Sequence, residues 1–142
     1  MEREEALDKV EDGWIRARAF IEVMAIKEDV AKRALEKHID KIEKQDGIEV
    51  YSKEFDEPEE VESPPTRKAR KAYSQIAEIE FVVPSVRNLI KFSMLFGPSS
   101  VEVIEPDSKV IKVDELQDMA NGVAALIHQY ASQGAGGIVT SE

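Results

Sequence analysis

The chain has no cysteine, which excludes disulfides, thiolate chemistry and Cys-based zinc or iron–sulfur sites. Histidine is almost as scarce. With only His38 and His128, any metal would have to rely on carboxylates. No apolar run approaches the roughly 18 residues that a membrane-spanning helix needs, and Met1-Glu2-Arg3-Glu4-Glu5 offers no apolar leader segment. A cytoplasmic protein without membrane contact is the expectation. Positive charge is also in deficit, since 19 basic against 29 acidic residues give a net charge of −10. Such a balance repels phosphate backbones and disfavours nucleic acid as a partner.

What is present is periodicity. The 142 residues suit one domain. Glu2 to Glu11 has helical spacing up to Asp12-Gly13, so residues 1–13 read as an N-terminal helical arm. From Ile15 the period changes to two, with Ile15, Ala17, Ala19, Ile21, Val23 and Ala25 on one face and Arg16, Arg18, Phe20, Glu22 and Met24 on the other. Residues 28–45 return to helix, with Val30, Ala31, Ala34, Leu35, His38 and Ile42 forming the apolar stripe and Gly47 the stop. Ile48 to Phe55 is a second strand. Residues 56–71 read as a charged loop: three prolines and five acids precede Arg67, Lys68, Arg70 and Lys71, and such a stretch buries too little to order itself.

Ala72 to Val83 alternates again as a third strand. Ser85 caps a helix that Gly97-Pro98 ends. Val101 to Ile104 is a fourth strand, and Lys109 to Val113 a short edge strand. A capping-box-like start at Asp114 and Gln117 opens the last helix, and residues 134–142 form a flexible tail. Strand, helix, strand, strand, helix, strand and a further helix predict an α+β fold, a ferredoxin-like βαββαβ sandwich with an added C-terminal helix over residues 14–133.

Three groups of residues invite a functional reading. Glu22, Glu78, Glu80 and Glu102 fall on the sheet face away from the helices, where carboxylates could bind a hard cation or a ligand; the ordinary alternative is a solvated charged face. Phe20, Met24 and Ile104 share that face, which suggests that the last helix or a second subunit covers part of it. The second group is the over-apolar helix Ser85–Phe96 with the last helix. Phe92, Leu95, Phe96, Met119, Ile127 and Tyr130 are the expected interface of a homo-oligomer. Third, Arg67 to Lys71 offers basic charge that the acids before it offset. His38 reads as a core or boundary residue and His128 as a surface one. No catalytic triad, HExxH or phosphate loop occurs, so a cofactor is not specified and catalysis is disfavoured.

Leu89-Ile90-Lys91-Phe92-Ser93-Met94-Leu95-Phe96-Gly97-Pro98, followed by Val101-Glu102-Val103-Ile104-Glu105-Pro106, resembles the C-terminal extension of WYL-domain transcription regulators. Asp46-Gly47 and the alternating first strand are similar too. The resemblance implies a ferredoxin-like fold and a role in ligand sensing and oligomer assembly. It does not carry DNA-linked regulation, because the winged-helix and sandwich segments have no counterpart here; a stand-alone protein is an equally fair description. The expectation is a non-catalytic, self-associating binding or regulatory module with a small-molecule or protein partner. A carboxylate-dependent metal protein or enzyme is the alternative, and a nucleic-acid-binding protein is the least favoured.

Overall fold

The computed structural model describes residues 1–62 and 71–133. Among them are four helices and five strands: α1 (Arg3–Glu11), β1 (Ile15–Ala25), α2 (Glu28–Glu43), β2 (Glu49–Phe55), β3 (Glu59–Glu62), β4 (Lys71–Val83), α3 (Val86–Phe96), β5 (Ser100–Glu105) and α4 (Val113–Ser132). The strands form one antiparallel sheet in the order β2-β4-β1-β5, with β3 also paired to β4. The architecture is α+β, as the alternation of periods predicted.

The period of two decides which side of the sheet is core. Ile15, Ala17, Ala19 and Ile21 of β1 and Ala77, Ile79, Phe81 and Val83 of β4 bury against Leu35, Ile39 and Ile42 of α2 and Leu89 and Phe92 of α3. The stripe of α2 is set slightly differently from the sequence reading. Ile39 is buried, whereas Val30 is exposed, because the buried row runs Ala31, Leu35, Ile39, Ile42.

The boundaries of α3 follow their local signals. Ser85 Oγ accepts from Asn88 N at 3.2 Å, and Gly97 takes the left-handed conformation at φ 55°, which an L side chain adopts only with strain. At the other end of the chain, α1 is packed rather than projecting. It lies against β1, β2 and β4 with Ala6 fully buried, and Lys9 bridges to Glu49 at 3.4 Å. Val82 is fully buried too, although it points away from α2 and α3.

Three expectations are corrected. The charged loop 56–71 contains a strand: β3 pairs Glu59↔Ser74, Glu60↔Tyr73, Val61↔Ala72 and Glu62↔Lys71. β2 occupies β4 only from Ala77 to Val82, so the remaining backbone groups of β4 on that edge are met by β3. Backbone pairing, not side-chain burial, orders the segment, and Lys71 pairs with Glu60 at 3.1 Å. Arg67, Lys68 and Arg70 lie outside the described residues, as does the tail from Gly134. Lys109 to Lys112 is not an edge strand and has no regular structure. The capping box at Asp114 and Gln117 does not form either. The helix begins at Val113 with Lys112 at its N-cap and no side-chain cap, while Asp114 Oδ1 accepts from the adjacent Glu115 N at 2.9 Å.

Candidate functional site

The sheet face opposite α2 and α3 is a charge network built on two arginines. Arg18 stands across from Glu80 on β4 and Glu102 on β5, since antiparallel pairing puts the same face of neighbouring strands in contact. Its guanidinium lies 2.9 Å from Glu78, 3.1 Å from Glu102 and 3.7 Å from Glu80. Arg16, one pleat away and only 12% exposed in its side chain, donates to Glu105 Oε1 at 2.6 Å and to Tyr51 Oη at 3.2 Å. Tyr51 in turn donates to Glu80 at 3.3 Å. Three of the four carboxylates anticipated from the sequence, Glu78, Glu80 and Glu102, are thus gathered around Arg18.

Glu22 stands apart from them. It lies further along β1, opposite Ile76, and accepts from Ser74 Oγ at 2.5 Å beside a cleft shared with Asp56, Glu57 and Glu59. Among the described residues no group of three or more His, Asp or Glu is close enough to hold a metal ion. Arg16, Arg18 and Glu105 are residues of this face that the sequence reading did not single out as site residues. The signal was available, because Arg16 and Arg18 share the parity of Glu22 in β1.

The second surface is α4. It packs on the outer side of α3, where Gly122 approaches Met94 and Arg87 pairs with Asp118 at 3.0 Å. It does not cross the open sheet face, where Met24 remains exposed. None of the described residues of α4 is buried. Leu116, Val123, Ile127 and Tyr130 are 55, 45, 44 and 49% exposed.

The anticipated interface residues therefore divide. Phe92 is 3% exposed and stacks on Phe81 at 4.9 Å between centroids, so it belongs to the core. Phe96 packs against Phe92 and His38, and His38 Nε2 lies 3.0 Å from Phe96 O, which gives that histidine a boundary role. Met119 faces α3 beside Ile90 and Met94. Leu95, Ile127 and Tyr130 are exposed. Between α3 and β5 runs a groove of about 410 Å³ lined by Ile15, Val86, Leu89, Val103 and Pro106; sequence reasoning missed it, because it arises where the helices stop short of the edge strand.

The sequence profile of the MJ0538 family matches residues 16–141. The chain belongs to the MJ0538 family. No curated protein and no solved structure matches it, and nothing in these comparisons links it to WYL-domain regulators. The MJ0538 match runs from β1 through α4, so both surfaces lie inside the family's segment and α1 lies before it. Among the described residues no helix of this MJ0538-family chain is long and apolar enough to cross a membrane.

Electrostatics in the network follow from its partial burial. For Arg16, burial is the largest single influence and lowers its pKa, yet hydrogen bonds and charge from Tyr51 and Glu105 together outweigh it and leave the value raised. The Tyr51 phenol is pushed up, first by burial and then by the Glu80 carboxylate, with Arg16 opposing. The folded chain thus holds the phenolic proton more tightly than the unfolded chain. That contribution is complete below the unfolded value, about 10, and is lost as pH rises through the folded one. The urea midpoint should fall between pH 9 and pH 11 more steeply for the native chain than for Tyr51→Phe. Parallel curves would show that Tyr51 is not coupled to folding.

Proposed function

We propose that this chain is a non-catalytic, self-associating binding module whose assembly surface is the free side of α4. The observation that carries the reading is an amphipathic helix of 20 residues with no buried position. In a monomer such an apolar side costs solvation free energy, roughly 25 cal/mol for each Å² left in water, and contiguous exposed apolar surface on a folded domain commonly marks an interface.

The strand order supports the finer reading of the fold as a split βαβ, ferredoxin-like sandwich, with β1 and β4 central and α2 and α3 on one side. The resemblance of Leu89–Pro106 to the extension of WYL-domain regulators agrees with assembly and ligand sensing. The groove beside β5 is of a size that suits a small molecule. Its apolar wall and its rim of Asp107, Ser108 and Lys109 suit a largely apolar ligand with one or two polar groups. The carboxylate-centred alternative has less behind it: Glu78, Glu80 and Glu102 are each already paired with Arg18, which leaves them less free to ligate a cation or move a proton.

Size-exclusion chromatography with light scattering at micromolar concentration tests the proposal. The expected mass is about twice the 15.9 kDa of one chain. Ile127→Glu, at an exposed position, should return the monomer while leaving the circular dichroism spectrum unchanged. A monomeric native chain would end this reading.

A further inference from the structure

The free side of α4 has the spacing of a coiled-coil seam. Val113, Leu116, Ala120, Val123, Ile127 and Tyr130 recur at intervals of three, four, three, four and three residues, which is the a/d pattern that another helix fills with knobs in holes. A stripe selected only to sit on α3 would be single. Here the contact with α3 uses a neighbouring line through Met119 and Gly122, and the seam is additional to it.

Charge identifies what covers the seam. From Met119 to Gln133 no residue carries a formal charge in a chain of which 34% is charged. On the side away from α3 the flanking positions Gln117, Ala124 and Ala131, where coiled coils place the charges that choose a foreign partner, are neutral. Neutral flanks let a strongly acidic chain meet its own copy without repulsion. The acids of α4 are confined to its start, at Asp114, Glu115 and Asp118.

Helix dipoles and side-chain bulk set the direction of the pair. The three acids take no part in that choice, because they lie on the side of α4 away from the seam, with Asp118 paired to Arg87 and Glu115 accepting from Arg87 N; a shared direction would align the two helix dipoles unfavourably. An antiparallel pair opposes the dipoles of the two helices, each about 30 Å long. It also matches side-chain bulk: Tyr130 meets Val113, Ile127 meets Leu116, and Val123 meets Ala120.

We infer that α4 pairs antiparallel with α4 of a second copy about a two-fold axis between Asn121 and Gly122, forming the four-helix layer α3-α4-α4-α3. The inference rests on the self-association proposed above and adds the partner element and its register.

Because the chain has no cysteine, disulfide trapping can read the register without background. Leu116→Cys and Ile127→Cys alter exposed positions and leave the core untouched. The two full-length variants are mixed under reducing conditions, allowed to exchange, oxidised, and run on a non-reducing gel. Light scattering on the native chain is run in parallel. The expected result is a native dimer and a covalent dimer that forms efficiently in the mixture and at least tenfold less in either variant alone, since residues 116 of the two copies would sit about 16 Å apart along the axis. Efficient cross-linking of Leu116→Cys with itself would mean a parallel pair and overturn the inference. A native dimer with no cross-link in any sample would place the interface elsewhere, for instance in the β5 groove; that overturns the inference and the assignment of the assembly surface to α4, while self-association itself survives. A native monomer defeats both.

Discussion

Phe81→Ala is expected to lower the unfolding free energy by about 3–5 kcal/mol, a large part of the 5–15 kcal/mol typical of a domain. Phe81 has no exposed surface. It sits in the central strand β4, opposite Ala17 on β1 and Val50 on β2, with its ring on Phe92 of α3. Small alanines on β1, Ala17 opposite it and Ala19 next along the same face, leave the space that the ring fills. The loss therefore contains both the transfer of the ring and the cavity left behind. Urea titration followed by circular dichroism would measure it as a drop in midpoint with little change in slope. Phe81→Leu should recover more than half of the deficit. A loss under about 1.5 kcal/mol for the alanine variant would mean that α3 collapses onto the sheet and that the packing of the two rings does not set its position.

Arg18→Met should cost about 2 kcal/mol at neutral pH, between the small effect typical of exposed ion pairs and the 3–5 kcal/mol seen when a buried pair loses one member. Arg18 is about one-third exposed, and Glu80 is 17% exposed in its side chain. Removing the cation leaves Glu78, Glu80 and Glu102 close together with only Arg16 nearby, so three carboxylates repel in a half-desolvated place. The prediction has a sign that separates it from simple loss of packing. Adding Glu78→Gln and Glu80→Gln to the variant should restore most of the stability at pH 7. A deficit that persists after those two substitutions would assign Arg18 the role of an aliphatic cover over the sheet and remove the electrostatic account.

The two surfaces differ in how the chain treats charge, and this bears on function. On the sheet face Glu78, Glu80, Glu102 and Glu105 each have an arginine within 4 Å, so charge there is answered by charge of the opposite sign. On α4 the chain spends neither sign of charge beyond Asp118. A surface that avoids charge in a protein this acidic is suited to contact with another apolar surface, because interface cores are depleted of charged residues.

The sequence by itself determined the local elements. Alternation of apolar residues in β1 and β4, the helical stripe of α2, the Ser85 cap and the Gly97 stop each act over a few residues, and their periods are fixed by backbone geometry alone. The core-facing parity of β1 and β4 follows from the same alternation. The apolar face of α4 was legible as helical spacing, and Ile127 and Tyr130, exposed in the fold, were named from the sequence.

What only the tertiary structure decided are the pairings between distant segments. Arg16 meets Glu105 across 89 positions of chain and Arg18 meets Glu102 across 84, and no local rule chooses which carboxylate an arginine will reach. β3 exists because β2 leaves part of one edge of β4 unpaired, a vacancy created by strand lengths and register rather than by residues 59–62 themselves. Phe92 and Leu95 look alike in sequence, three residues apart on an apolar helix. The rotation of α3 on the sheet put Phe92 into the core and left Leu95 outside, and the placement of α4 on α3 left the a/d seam facing outward. Each of these outcomes depends on how whole elements dock, where many weak contacts are summed at once, and that sum is not written in any short stretch of the chain.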